Sequence, residues 1–365
     1  MQTTALVVRE ANGPFALESL TLEAPRPDEV LVEVRATGIC HTDLSARSQD
    51  LPTSLPAVLG HEGAGIVRAV GSQVTSVVEG DHVVMAGLFC GECRMCGSGR
   101  PSYCEDSVSR ILSGVRGDAT GPLTDVDGAV VHTFFHGSFG AHAVVPSRLV
   151  VKISPELPFE LVAPLGCGVM TGAGTILNEL RPEKGSTIAV FGAGGVGLSA
   201  VAAALVAECS TIIAVDTKSS RLDLARELGA TATVNASEVD SVEAIVELSG
   251  GGVDYSVEAS GVAVCGPQSV KVLRTQGVAA LVGAAGWDTQ LAVDWSPFIG
   301  MGRQLRGVAM GSSDPHTFIP RLIELWQEGR LPFDKIITEF PLADFDLALR
   351  AMERGDVVKP VIRFP

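Results

Sequence analysis

A six-residue glycine motif constrains the fold of this chain more than any other feature of its sequence. Gly192-Ala193-Gly194-Gly195-Val196-Gly197 follows the apolar run Thr187–Phe191 and opens a second apolar stretch with helical spacing. Asp216 ends the next apolar run, 19 residues after Gly197. A strand, a glycine turn, a helix and an acidic residue at this spacing are typical of a βαβ unit that binds a dinucleotide.

Each part of this unit has a physical role in the predicted site. The glycines permit a tight turn and bring the helix N-terminus close to a pyrophosphate. We expect Asp216 to accept hydrogen bonds from the adenosine ribose diol and to repel a 2′-phosphate. The sequence therefore predicts NAD as the cofactor in preference to NADP.

The surrounding sequence predicts an α/β fold with two domains. With 365 residues, of which 46% are hydrophobic, the chain has enough material for about two packed cores. Short apolar runs alternate with helical patterns in the middle of the chain, which indicates a Rossmann-type, doubly wound parallel sheet. The first 150 residues instead carry many short β-like runs separated by Gly, Pro and Asp, which indicates a β-rich domain.

A cluster of four cysteines predicts a metal site in the β-rich half. Cys90, Cys93 and Cys96 form two overlapping CxxC steps, and Cys104 follows after a short loop. Four thiolates this close can surround one Zn²⁺ tetrahedrally and leave no open position, so this zinc is expected to be structural. A redox CxxC pair, an iron–sulfur cluster and free thiols are the alternatives that spacing leaves open.

The net charge of the chain limits its expected partners, and its N-terminus and cysteines indicate its cellular compartment. The chain has 27 Lys and Arg against 42 Asp and Glu, a formal charge of −15, and no basic block. Nucleic acid and anionic membranes are therefore not expected partners. The N-terminus lacks the pattern of a signal peptide, and clustered cysteines outside oxidising compartments are usually metal ligands, so we expect a cytoplasmic protein.

Three further segments contain short motifs of glycine with cysteine or histidine. They are GICHTD at 38–43, GHEGAGIV at 60–67 and GCGVMTG at 166–172. Together with the cysteine cluster and the glycine motif, they resemble the zinc-dependent medium-chain alcohol dehydrogenases, and the resemblance runs essentially from end to end. The motifs are most similar to those of the aryl (benzyl) and terpenoid alcohol dehydrogenases.

The resemblance implies a second, catalytic zinc. Cys40, His61 and Cys167 would bind it and leave one position for water or substrate, the Cys₂His arrangement known for this family. Glu62 is expected to approach the metal when substrate is absent. Asp43 is expected to orient the ring of His61 through a hydrogen bond.

The resemblance also implies further cofactor contacts. Arg221 matches a position near the adenosine ribose, while His41 and Lys359 match positions where basic side chains meet the pyrophosphate. Thr171 and Val196 match residues that line the nicotinamide.

The expected reaction is reversible oxidation of a primary alcohol to an aldehyde. The alcohol binds at the open zinc position, Thr42 accepts its proton, and hydride passes from the alcohol carbon to the nicotinamide. Many relatives carry a relay histidine three residues after this position, but here the residue is Ser45. Serine passes a proton without storing one at neutral pH, so we expect the proton to leave through water or His41.

Two segments bear on the substrate. Ala86 occupies a position where many relatives carry an aromatic residue, which leaves room for a ring. Phe134-Phe135-His136-Gly137-Ser138-Phe139 resembles the FFGxSSF stretch of the aryl and terpenoid enzymes, so aromatic or allylic alcohols are expected. His136 is expected to be structural.

The resemblance also predicts the domain order and the assembly. Residues 1–168 would form the first part of a GroES-like zinc catalytic domain, 169–308 the NAD-binding domain and 309–365 the rest of the catalytic domain. A homodimer or homotetramer is implied, formed by edge-strand pairing of the nucleotide domains.

Three other functions remain as alternatives. They are a thiol-dependent formaldehyde dehydrogenase of the same family, a zinc-free quinone reductase of the same broad fold, and a non-catalytic zinc protein. The ligand set Cys40, His61 and Cys167 argues against the quinone reductase.

Overall fold

The computed structural model describes all residues from 1 to 365, and they divide into two compact units. Unit 1 contains Met1–Cys167, Asp314–Pro320 and Ile337–Pro365. Unit 2 contains Gly168–Ser313 and Arg321–Ile336.

The strands are short, as the spacing of turn residues in the sequence predicts. In chain order they are β1 Gln2–Val8, β2 Ala16–Leu22, β3 Glu29–Gly38, β4 Ala57–Val58, β5 Glu62–Val70, β6 His82–Met85, β7 Leu123–Thr124, β8 Val130–Thr133, β9 His142–Pro146, β10 Val150–Ile153, β11 Thr187–Phe191, β12 Thr211–Asp216, β13 Ala232–Asn235, β14 Val253–Glu258, β15 Leu273–Leu281, β16 Gln304–Gly307, β17 Ile337–Pro341 and β18 Lys359–Arg363.

The chain forms twelve helices, which lie in both units. In chain order they are α1 His41–Ser48, α2 Arg94–Gly97, α3 Ser107–Ser113, α4 Phe159–Val162, α5 Gly168–Gly174, α6 Gly195–Val206, α7 Ser219–Glu227, α8 Ser241–Leu248, α9 Cys265–Lys271, α10 Trp295–Gly300, α11 Pro315–Gln327 and α12 Phe345–Arg354. A π-helical turn, Thr175–Leu180, follows α5.

Unit 1 is built from two β-systems. Strands β1, β2, β7, β8 and β4 close a small barrel. A seven-stranded sheet has the order β10-β6-β5-β3-β18-β17, with β9 also pairing with β3. Buried Val30, Val32 and Val34 alternate with half-buried residues along β3, so one face of this sheet packs into a core.

Unit 2 is a parallel sheet with helices between its strands. The strand order is β13-β12-β11-β14-β15-β16, and every pairing in it is parallel. The apolar runs of the middle of the chain form the central strands β11, β12, β14 and β15. Central strands of a parallel sheet are apolar because they are buried on both faces. The predicted fold class, a Rossmann-type sheet domain plus a β-rich domain, is confirmed.

The second domain boundary differs from the expected one. The chain leaves unit 2 after Ser313 rather than at residue 308, and residues 321–336 return to it, whereas the expected boundaries place 309–365 wholly in the first domain. The reason is packing: Leu325 and Phe333 are buried, and the 3₁₀ turn that contains Phe333 contacts α6.

No single helix in the structure is long and apolar enough to cross a membrane. Two consecutive short helical segments, Phe159–Gly166 and Gly168–Leu180, reach the length and apolar composition of a membrane span only when taken together, and they are bent by 57° at the break between them.

Candidate active site and metal centres

Strand register brings the first two predicted ligands together. Strand β3 runs antiparallel to β5 with Gly38 opposite Glu62, so the residues just beyond Gly38 meet those just before Glu62. Cys40 then caps α1, where its N–H donates to Oδ2 of Asp43 at 3.0 Å. Oδ1 of Asp43 accepts from Nδ1 of His61 at 2.8 Å, and both side chains are buried.

The same register places a basic residue beside these ligands. Strand β18 is antiparallel to β3 with Val361 opposite Gly38, which puts Lys359 next to the start of α1. The Lys359 ammonium is buried, donates to Oε1 of Glu62 at 2.8 Å and to the carbonyl of Ile39 at 3.2 Å. In this structure Lys359 therefore forms a buried ion pair with Glu62. Its contact with a pyrophosphate stays a prediction.

Cys167 arrives from a distant part of the sequence through a close backbone contact. A Cβ on Gly166 would lie 2.2 Å from the carbonyl oxygen of Met85, so only glycine lets the turn 163–166 approach the end of β6. This approach brings the Cys167 sulfur to Cys40, His61 and Glu62, and one donor atom from each of these four residues lies within 4.8 Å of the others.

The donor set fits a zinc ion. Nε2 of His61 is buried and has no hydrogen-bond partner, while Nδ1 of the same ring is held by Asp43. A histidine with one nitrogen bound to a carboxylate and the other left to a metal is the usual arrangement at such sites. Two sulfurs, one imidazole and a nearby carboxylate match the preference of Zn²⁺.

The charged groups of this site shift one another's pKa values. The hydrogen bond from Cys167 and the nearby Lys359 ammonium hold the pKa of Cys40 well below its ordinary value. Burial raises the pKa of Glu62 to about 7, although Lys359 opposes the shift. Burial opposes a charge on His61, but the Asp43 carboxylate outweighs it and raises the pKa of His61 well above its ordinary value.

Aromatic rings enclose the His61 imidazole. Phe135 stacks on it with a centroid distance of 4.9 Å and an interplanar angle of 29°, and Phe134 meets it edge-on at 5.8 Å. His136 is buried, Nε2 donates to the carbonyl of Gly87 at 2.7 Å, and burial lowers the pKa of His136 to about 4. Ala86, which precedes Gly87, is fully buried.

The proposed proton-transfer residues follow Cys40 on α1. Oγ1 of Thr42 lies 3.6 Å from the sulfur of Cys40, which places the hydroxyl beside the metal donors. Ser45 is one helical turn further on and half-buried, and His41 is exposed at the start of the helix.

The four-cysteine cluster forms a second group of donors. The sulfurs of Cys90, Cys93, Cys96 and Cys104 lie within 4.8 Å of one another. The Cys90–Cys96 and Cys93–Cys104 sulfur pairs are both 3.9 Å apart. A tetrahedral Zn²⁺ with bonds of about 2.3 Å requires sulfur separations of about 3.8 Å, so the group fits a closed zinc site.

The glycine motif in unit 2 has the geometry of an anion-binding turn. Gly192 has a φ of +91°, which disfavours other residues, and a Cβ on Gly197 would lie 1.7 Å from the carbonyl oxygen of Gly192. A Cβ on Gly194, the N-cap of α6, would meet nothing within 4 Å, which leaves open space before the helix N-terminus, where Gly195 and Val196 begin α6.

Asp216 lies at the carboxyl end of β12 beside this turn. Its two oxygens accept from the N–H groups of Ala193 at 2.8 Å and Lys218 at 2.9 Å, which fixes the carboxylate. Arg221 lies 3.9 Å from the same carboxylate. Thr171, on α5, is buried and donates to the sulfur of Met310 at 3.9 Å.

Two contacts of the site were not anticipated from the sequence. They are the buried pair of Lys359 with Glu62 and the bond of His136 to Gly87. Because the partners lie 297 and 49 positions apart in the sequence, no local pattern predicts these contacts. A single lysine in an apolar C-terminal strand is nevertheless a hint that this lysine forms a buried ion pair.

Comparisons with known proteins agree with this geometry. Residues 26–155 match the family model of the alcohol dehydrogenase GroES-like domain, and residues 195–328 match that of the zinc-binding dehydrogenases. Geraniol dehydrogenase from Castellaniella defragrans is 37% identical over 363 residues, which cover 99% of this chain and 97% of the relative.

Two solved structures are also similar. The alcohol dehydrogenase zinc-binding domain protein from Burkholderia ambifaria is 44% identical, with a TM-score of 0.96 over 100% of this chain and 99% of that one. Benzyl alcohol dehydrogenase from Acinetobacter calcoaceticus is 40% identical, with a TM-score of 0.96 over 100% of both chains. The chain therefore belongs to the zinc-dependent medium-chain alcohol dehydrogenases.

Proposed function

We propose that this zinc-dependent alcohol dehydrogenase oxidises primary aromatic or allylic alcohols to aldehydes with NAD, reversibly. The observation that carries the proposal is the group of two half-buried cysteines, Cys40 and Cys167, and the buried His61, whose Nε2 has no hydrogen-bond partner within the protein. The names of the geraniol and benzyl alcohol dehydrogenases support the substrate class, because geraniol is allylic and benzyl alcohol is aromatic.

The residues around this group have separate roles in the proposed reaction. A zinc ion held there supplies a Lewis acid that lowers the pKa of the alcohol hydroxyl. With NAD bound, the overall reaction would convert the alcohol and NAD into aldehyde, NADH and H⁺, with the proton leaving from the alcohol oxygen. Thr42 accepts the proton, Ser45 passes it on, and Asp43 orients His61. Glu62, held by Lys359, stays beside the ligands.

The proposed substrate wall is small on one side and aromatic on the other. Ala86 contributes only a methyl group, whereas Phe134 and Phe135 surround the imidazole of His61. An apolar wall favours an apolar alcohol, because burying its ring gains free energy that ethanol cannot supply.

NAD is the proposed cofactor because of the charge beside the glycine turn. The carboxylate of Asp216 lies at the carboxyl end of β12 beside the glycine turn, where it would repel a 2′-phosphate. Arg221 lies near the same carboxylate, and Val196 and Thr171 are proposed to line the nicotinamide.

The decisive experiment is NADH formation from a panel of alcohols, with and without a chelator. We expect benzyl alcohol and geraniol to exceed ethanol in kcat/KM, two zinc ions per chain, and loss of activity with the chelator. Equal efficiency for ethanol and benzyl alcohol would contradict the substrate assignment. NADH formation that requires both formaldehyde and a thiol would favour the formaldehyde dehydrogenase alternative instead.

A homo-oligomer is also part of the proposal. Strand β16 pairs only with β15, so its outer edge is open in the single chain. Trp287, Trp295 and Ile299, which precede this strand, are 59%, 79% and 63% exposed. Large apolar side chains beside an open edge favour a second copy as the partner. Light scattering on wild type and Trp295→Lys measures this, and a wild-type monomer would contradict it.

We also propose a cytoplasmic location. The support is that the cysteines of both metal groups are spaced for zinc, and thiolate ligands persist in a reducing compartment.

A further inference from the structure

His136 is a buried side chain to which the proposed reaction gives no role. It is 2% exposed, and Nε2 donates a short hydrogen bond of 2.7 Å to the carbonyl oxygen of Gly87. A buried polar ring that bonds to a loop 49 positions away holds two segments of the fold together.

The segment that contains His136 supports one zinc ligand. Phe135, the preceding residue, stacks on the ring of His61 at 4.9 Å. Its φ is +55°, a left-handed conformation that is unfavourable for a bulky side chain and persists only where the surroundings impose it. The neighbouring ring of His136 is held at Nε2 by Gly87, while its Nδ1 is buried without a hydrogen-bond partner. The bond of His136 is therefore one of the contacts that keep Phe135 against His61.

The segment that contains Gly87 supports the other distant ligand. Gly87 comes two residues after Met85, whose carbonyl oxygen is in such close contact with Gly166 that a Cβ there would lie 2.2 Å away. Gly166 immediately precedes Cys167. Between Met85 and Gly87 lies Ala86, the proposed substrate wall, which is fully buried.

We propose that His136 is a positioning residue that sets the spacing of the zinc ligands His61 and Cys167 and fixes the wall at Ala86. Its ring joins the segment that packs on His61 to the segment that packs on Gly166, the residue before Cys167, through the bond to Gly87. The proposal rests on the ligand assignment in the proposed function, and it assigns to His136 a role in metal geometry rather than in proton transfer.

The test compares three variants in the zinc enzyme and in protein loaded with Co²⁺. His136→Phe keeps an apolar ring and removes the donor, whereas His136→Gln places an amide N–H near the position of Nε2. His132→Phe is the matched control, because His132 also bonds through one ring nitrogen to a main-chain carbonyl, that of Ser113 at 2.9 Å, outside the site. Absorption of the Co²⁺ protein reports ligand geometry independently of turnover.

We expect His136→Phe to shift the Co²⁺ absorption bands and to lower kcat/KM for benzyl alcohol on the order of tenfold, with His136→Gln within about threefold of wild type. Two metal ions per chain should remain in all variants, and His132→Phe should match wild type. If His136→Phe does not fold, His136→Asn replaces it, because the shorter amide does not reach the position of Nε2.

Two results would overturn the proposal: an unchanged Co²⁺ spectrum in a folded, donor-free variant, or the same spectral shift in His132→Phe. Failure of the proposed function is separate, because it appears in the wild type as missing turnover of benzyl alcohol. The cobalt comparison between variants still decides the role of His136 in that case.

Discussion

Oδ1 of Asp43 accepts a 2.8 Å hydrogen bond from Nδ1 of His61, so the opposite ring nitrogen is left for the metal. The other oxygen of Asp43 accepts from the N–H of Cys40, the neighbouring ligand. One carboxylate therefore orients the proposed histidine ligand and bonds to the residue that caps α1, the proposed cysteine ligand.

Removing this carboxylate should weaken zinc binding. We expect Asp43→Ala to lower metal affinity or activity by about 10- to 100-fold, because the His61 ring and the Cys40 backbone both lose their partner. Zinc content after dialysis against a graded chelator measures the effect. Asp288→Ala, at an exposed carboxylate, is the control, and equal zinc loss in both variants would contradict the prediction.

Thr42 and Ser45 should contribute unequally to turnover. Thr42 lies beside the metal donors, whereas Ser45 is one helical turn away. We expect Thr42→Ala to lower kcat on the order of 100-fold, as loss of a proton acceptor does, and Ser45→Ala to have a smaller effect. Steady-state kinetics with benzyl alcohol measure both, and a larger loss in Ser45→Ala would refute the assigned order.

Cofactor preference should depend on Asp216. Replacing it by Asn removes the charge but keeps an acceptor for the N–H of Ala193. We expect the ratio of kcat/KM for NAD to that for NADP to fall by about tenfold or more, because the repulsion of a 2′-phosphate is lost. Comparable efficiency with the two cofactors in the wild type would show that Asp216 does not discriminate.

The four-cysteine site should stabilise the fold without taking part in catalysis. Cys104→Ser leaves three sulfurs, so we expect zinc content to fall from two ions to one per chain and the unfolding midpoint to fall by about 10 °C. Cys265→Ala changes a thiol outside both metal groups and serves as the comparison. Retention of two zinc ions in Cys104→Ser would exclude a Cys₄ site.

Cys209 should react slowly and should make stability depend on alkaline pH. Burial raises the pKa of Cys209 from an ordinary value of 9.0 to about 11. Between these values the unfolded chain has released the proton while the folded protein retains it, so the free energy of unfolding falls as pH rises. Cys209→Ala should flatten this slope in urea titrations from pH 8 upward. Mass spectrometry should find native Cys209 unmodified by iodoacetamide at pH 8, and rapid modification would contradict its burial.

The sequence by itself predicted the parts of the site whose spacing is local. The CxxC steps, the glycine motif, and the acidic residue at the end of the next strand predict their chemistry because each is formed within one turn, loop or βαβ unit. The apolar runs likewise predicted the parallel sheet, because central strands must be buried on both faces. The family resemblance then implied the dispersed ligand set Cys40, His61 and Cys167.

Only the tertiary structure decided the contacts that depend on strand register and long loops. Lys359 meets Glu62 because β18 and β5 both flank β3, and His136 meets Gly87 because two loops of unit 1 pack together. The return of residues 321–336 to unit 2 is decided in the same way, by the burial of apolar side chains such as Leu325. The spacing of residues within a motif determines which functional side chains lie together locally. The pairing of distant strands and loops determines which side chains from different motifs come into contact.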